Sequence, residues 1–111
     1  LFRKESAEIG QTMWLLTASN PAAFCGHVWV EDLGGFRKES LRAFHRQAMA
    51  NFPFLQTSHQ AYERAADLLA THPRLGPGDA IIAATALENK CALFTLDRDF
   101  SVLTSEGLIL Y

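Results

Sequence analysis

Apolar residues recur along the chain in blocks whose spacing switches between helical and strand-like, and each switch predicts an element boundary. Between Glu5 and Ala18, Ile9, Met13 and Leu16 fall at helical spacing, and Asn20 with Pro21 supplies a stop, which predicts a first helix. Ala22 to Val30 holds Phe24, Cys25, Val28, Trp29 and Val30 and reads as a short strand, weakened by Gly26 and His27, with Glu31 at its end. Gly34 and Gly35 break the chain, and from Phe36 to Ala50 the residues Leu41, Phe44 and Ala48 form one helical face. Phe54 to Gln56 reads as a brief strand. Thr57 with Gln60 then makes a capping box for a helix whose inner face is Ala61, Ala65, Leu68 and Leu69.

His72 and Pro73 end that helix, and a connector rich in proline and glycine leads to the most apolar unit of the chain. From Ala80 to Leu87 only Thr85 is polar, so this helix is expected to be buried on most sides. Ala92 to Leu96 is a short apolar run of the kind found in a central strand covered on both faces. A helical turn from Phe100 to Leu103, a break at Gly107 and a last strand from Leu108 to Tyr111 complete the order. Alternating helices and short buried strands predict an α/β fold, a three-layer α/β/α sandwich with a mainly parallel sheet. The pentapeptide FRKES occurs at Phe2 to Ser6 and again at Phe36 to Ser40, but five residues with differing flanks are too few for a structural repeat.

With 111 residues, 49% of them hydrophobic, the chain has enough apolar material for one domain core, which is expected to span residues 1–111. Its net charge of -2 excludes nucleic-acid binding by bulk charge and leaves only a local patch for that purpose. Cys25 and Cys91 sit in apolar contexts without paired spacing, which fits buried thiols in a reducing compartment and a cytoplasmic location. No apolar run reaches the roughly 20 residues that span a bilayer, so no membrane role is expected. The four histidines, His27, His45, His59 and His72, are too scattered for a zinc motif.

Candidate chemistry lies in the acids that bracket the apolar unit. In open parallel sheets the functional crevice lies beyond the carboxyl ends of the strands. Glu31 and Asp97 each follow a predicted strand, and Asp79 stands at a helix start facing the same edge. Their convergence would form a hard oxygen site suited to Mg²⁺ or Mn²⁺, with Asp99 as a fourth ligand or as the holder of a bound water. Carboxylates about 4 Å apart repel by roughly 4 kcal/mol per pair at an effective dielectric of about 20, which a divalent cation relieves. Such a cluster is equipped for phosphodiester hydrolysis. Each acid also has a plainer reading: Asp79 as a helix cap, Asp97 or Asp99 as the cap of the next turn, Glu31 as a solvated residue.

The segment DAIIAATALENKCALFTLDRDF closely resembles the C-terminal half of PIN-domain ribonucleases, especially the toxins of bacterial type II toxin-antitoxin pairs. The family's aspartate before a buried alanine-rich helix is matched by Asp79, and its Thr-x-Asp followed by an acid and phenylalanine by Thr95, Asp97, Asp99 and Phe100. Glu31 with Gly35 resembles its Glu-x-x-x-Gly segment, and GLILY resembles its last strand. The resemblance implies that Glu31, Asp79 and Asp97 are catalytic, metal-binding acids, with Thr95 and Asp99 in support. It implies an RNA substrate, a cognate antitoxin protein and metal-dependent endoribonuclease activity. PIN domains begin with a strand ending in Asp-Thr or Asp-Ser, whereas no aspartate precedes Asp32 here and the first methionine is Met13, so the domain is expected to be incomplete at its N-terminus. A partner chain supplying a strand would favour a homodimer.

Lys38, Arg42 and Arg46 form a basic stripe at spacing four that would suit an RNA backbone, with Arg37 and Arg98 adding contacts. Its plainer reading is a solvated helix face. Two further readings remain: a catalytically impaired PIN scaffold acting as a protein-binding or nucleic-acid-binding module, and a flavodoxin-like domain for a small phosphorylated ligand.

Overall fold

The computed structural model describes residues 13–16, 23–95 and 97–110. In chain order the elements are β1 (Met13–Leu16), β2 (Phe24–Cys25), α1 (Gly26–Gly34), α2 (Glu39–Ala50), β3 (Phe54–Leu55), α3 (His59–Thr71), α4 (Pro77–Glu88), β4 (Ala92–Thr95), a 3₁₀ helix (Arg98–Glu106) and β5 (Ile109–Leu110). This is the expected α/β class. Among the described residues two of the three strand pairings are parallel: β2 with β3, aligning Phe24 with Phe54, and β4 with β5, aligning Ala92 with Ile109. β4 is the middle strand of the sheet β1-β4-β5, but it meets β1 in antiparallel fashion.

Three expectations need correction. Met13–Leu16 is strand β1 rather than part of a helix, in register from Met13 opposite Thr95 to Leu16 opposite Ala92. Four consecutive apolar residues satisfy the backbone of β4 there, and this long-range pairing outweighs the local helical spacing. The rest of that expected helix lies outside the described residues. The second correction concerns residues 22–30, where only Phe24 and Cys25 are strand and α1 begins at Gly26. Val28 and Asp32 are buried one turn apart, Trp29 and Leu33 pack beside them, and Val30 is 70% exposed, a helical rather than an alternating pattern. Glu31 therefore stands inside a helix, not at a strand end. Third, the cap of α3 is Ser58, whose hydroxyl accepts from Ala61 N–H at 3.0 Å, not Thr57 with Gln60.

Helix α4 holds the core together because from Ala80 to Leu87 it is apolar but for Thr85. Ala80, Ile82, Ala83, Ala84 and Ala86 are buried among Phe24, Leu68, Leu93, Phe100 and Leu103. Its polar exception, Thr85, is also buried, and its hydroxyl donates to the Ile81 carbonyl at 2.7 Å and meets the Thr57 hydroxyl at 2.8 Å. Pro77 opens the helix at a position that lacks an intrahelical N–H partner. The other end closes with Lys90 N–H bonded to the Leu87 carbonyl and Cys91 N–H to the Ala86 carbonyl, a Schellman pattern that forces Lys90 to a φ of 55°. Gly107, at φ 98°, performs the same turn after the 3₁₀ helix, which is longer than the expected turn at Phe100 to Leu103. Cys25 and Cys91 are free and buried as expected, and burial pushes both thiols above their ordinary range.

Candidate active site

The four expected acids come from three parts of the chain. Asp79 sits in the first turn of α4, two residues after Pro77. Asp97 follows β4, where its N–H donates to Thr95 Oγ1 at 3.0 Å, and its own Oδ1 accepts from Asp99 N–H at 2.9 Å. Thr95 thus fixes the turn that carries Asp97, and Asp97 caps the 3₁₀ helix, so the plainer capping reading and the site reading hold at once. Glu31 comes from α1, one helical turn after His27.

The charges of the other three acids reach Asp79. The Asp79 carboxyl is pushed up from 3.8 to about 6, first by burial and then by the charges of Glu31, Asp97 and Asp99, with His27 acting in the opposite sense. A carboxylate at a helix N-terminus is ordinarily favoured, so the neighbouring acids and burial outweigh the helix dipole here. The arrangement is that of a carboxylate cluster short of positive charge.

His27 belongs to this site although its scattered place among the histidines gave no hint of it. Its Nε2 lies 3.1 Å from Glu31 Oε2, and its ring packs so closely on α4 that a methyl group built on Gly78 would overlap it. Glycine at position 78 therefore lets α1 and α4 bring Glu31 and Asp79 together. The usable signal was the four-residue spacing of His27 and Glu31, which has meaning only once the segment is seen as helix.

The donor chemistry fits a divalent cation, since burial and the charges of three other carboxylates raise the proton affinity of Asp79 and a cation would relieve that repulsion. Among the described residues no three His, Cys, Asp or Glu are grouped closely enough to hold an ion by themselves. Mg²⁺ commonly keeps several waters and takes only one or two carboxylates plus a substrate phosphate, so a closed protein cage is not required.

The expected basic residues divide. Arg37, Lys38, Arg46 and Arg98 are exposed. Arg42 is drawn into the turn between α1 and α2, donating to the Leu33 carbonyl at 3.3 Å, the Phe36 carbonyl at 2.6 Å and Glu39 Oε1 at 2.7 Å. The stripe of three thus loses its middle member to the fold itself.

The family model described as PIN domain matches residues 1–105. The chain belongs to the PIN domain family. PIN domains are a nuclease family of α/β fold that generally uses divalent metals, which accords with the carboxylate cluster at the head of α4. No curated protein matches the chain. Among the described residues no helix of this PIN domain is long and apolar enough to cross a membrane.

Proposed function

We propose that this PIN domain is a metal-dependent endoribonuclease that hydrolyses RNA phosphodiester bonds, working as the toxin of a toxin-antitoxin pair. The observation that carries the reading is the lifted Asp79 carboxyl, raised first by burial and then by Glu31 from α1 and by Asp97 and Asp99 from the turn after β4. Mg²⁺ or Mn²⁺ held by these four acids would supply positive charge to the cluster and polarise a phosphoryl oxygen of the RNA. The chain's own residues do the positioning: Thr95 sets the turn of Asp97, Asp97 orients Asp99, and His27 holds Glu31. Arg37, Lys38, Arg46 and Arg98 would contact the RNA backbone.

Incubation with single-stranded RNA and Mn²⁺, beside Asp79→Asn and Asp97→Asn, tests this reading. We expect cleavage by the natural chain, suppression by EDTA, and a fall of about a hundredfold or more in each variant, the scale of losing a transition-state charge partner. Equal cleavage by all three proteins would remove the assignment. A second reading, a PIN scaffold that binds RNA or protein without cutting, draws support from the lack of a closed ligand set among the described residues. It predicts RNA binding with no metal-dependent turnover.

The cognate antitoxin and a second copy of the chain are the proposed protein partners, supported by Val30, Leu41 and Phe44, large apolar side chains exposed on α1 and α2. Light scattering on the purified chain, with a monomer as the result against it, tests the dimer.

A further inference from the structure

A groove of about 690 Å³ opens between the α3–α4 connector and the 3₁₀ helix, lined by His72, Arg74, Leu75, Arg98, Asp99 and Val102 among others. Asp99 lines this groove and its N–H donates to Asp97 Oδ1 at 2.9 Å, so the groove adjoins the turn that carries Asp97. Its cations are available. Among the described residues the arginines in ion pairs are Arg42 with Glu39 and Arg64 with Glu106, while Arg74 and Arg98 are exposed on the groove walls.

The walls are also fixed in advance. His72, at the end of α3, meets Glu106 at 2.9 Å, and Arg64 Nη2 reaches the Glu106 carbonyl at 3.3 Å, which ties the connector side to the far end of the 3₁₀ helix. Leu75, Phe100 and Leu103 root both walls in the core. Arg37 and Lys38 line a different groove of about 370 Å³, which shares no residue with the acid cluster.

A cluster of carboxylates repels the polyanion it is proposed to cut, and that repulsion is felt before any cation and substrate are seated together. Positive charge on a rigid wall next to the cluster offsets it, and guanidinium groups suit the task because their planar forks take phosphate oxygens two at a time. We propose that this groove is a phosphate subsite, in which Arg74 and Arg98 hold a backbone phosphate of the RNA strand that flanks the acidic centre. The proposal rests on the ribonuclease reading for its substrate and adds Arg74 and the groove itself.

The test is binding of short fluorescent single-stranded RNA across a salt series, in the Asp79→Asn chain so that turnover does not interfere. Arg74→Ala and Arg98→Ala are each expected to weaken binding about five- to tenfold at low salt and to lower the slope of log affinity against log salt by about 0.7, the value for one lost phosphate contact on a single strand. Arg74→Lys is expected to keep most of the slope while losing part of the affinity. Lys90→Gln removes a charge outside the groove and is expected to change neither quantity, and thermal melts confirm that each variant is folded.

RNA with and without a terminal phosphate separates the two sources of the same chemistry. An equal arginine effect on both assigns an internal phosphodiester, and an effect only on the phosphorylated strand assigns an end. A double variant with unchanged slope, an equal loss from Lys90→Gln, or no RNA binding by the chain would overturn the subsite. Cleavage of RNA by an Arg74→Ala, Arg98→Ala double variant with unaltered binding would overturn it while leaving the nuclease reading intact. An arginine-dependent slope without any cleavage by the natural chain would do the reverse.

Discussion

Replacing Asp79 by asparagine takes one charge out of a group of four, and the cluster fixes both the sign and the pH dependence of the result. In the folded chain the Asp79 carboxyl titrates near 6 instead of 3.8. The folded state therefore binds this proton more tightly than the unfolded state. Its contribution is fully present below the unfolded value and is lost as pH rises through about 6. At about 1.4 kcal/mol per pH unit the whole move corresponds to about 3 kcal/mol. The carboxyl is only half-buried, so solvent screening reduces this to about 1–2 kcal/mol. Asparagine keeps the shape but forfeits the favourable helix N-terminal charge, worth about 0.3–1 kcal/mol, which leaves a net gain of about 1 kcal/mol. Urea unfolding in EDTA is the assay: Asp79→Asn is expected to be the more stable protein by about 1 kcal/mol near pH 8 and equal to the natural chain near pH 4. Adding Mn²⁺ is expected to stabilise the natural chain and reverse the order at the higher pH. A variant less stable than the natural chain near pH 8 without metal, or a gain of equal size at both pH values, would refute the picture of mutually repelling acids.

Three other changes probe separate parts of the structure. Gly78→Ala places a methyl where the His27 ring lies, and is expected to leave stability within about 1 kcal/mol while lowering RNA cleavage about tenfold or more, because displaced catalytic groups are costly; an unchanged rate would show that His27 does not position Glu31. Lys90→Gly relieves the left-handed backbone at the end of α4 and is expected to raise stability by about 1 kcal/mol in thermal or urea unfolding, with no gain as the adverse result. His45→Ala removes the ring nitrogen that lies 3.4 Å from the buried Asp32 carboxyl, and is expected to cost about 1–3 kcal/mol in urea unfolding, the scale of leaving a buried polar group without its neighbour. Burial already lifts the Asp32 carboxyl, so that loss is expected to shrink as pH falls and the carboxyl takes up its proton, and a pH-independent loss would assign His45 to packing alone.

Much of this architecture was legible in the chain. Helix α4 announced itself because nothing but Thr85 interrupts its apolar residues, and α3 because Ala61, Ala65 and Leu68 keep helical spacing. Asp79 and Asp97 stood out as the acids at the two ends of that apolar unit. What stayed hidden depended on distant or context-bound contacts. Strand β1 is defined by pairing with β4, some eighty residues away, and local periodicity carries no trace of that partner. Helix α1 was obscured by Val28, Trp29 and Val30, whose β preference suggests a strand, although Val28 and Asp32 mark a helical face. Losing α1 also hid His27, since its relation to Glu31 exists only at helical spacing. The engagement of Arg42 with two backbone carbonyls could not be inferred from a charge stripe.

Helix α4 both centres the core and presents Asp79 at its head, which ties the place of that carboxyl to the packing of the core. Asp79 directly precedes the buried Ala80 in the same helix, which couples its backbone to the core. Loss of function on heating is then expected to coincide with global melting rather than precede it. Mutational drift faces the same constraint, because enlarging the buried Ala83 or Ala84 to suit a different core would shift the helix that carries Asp79.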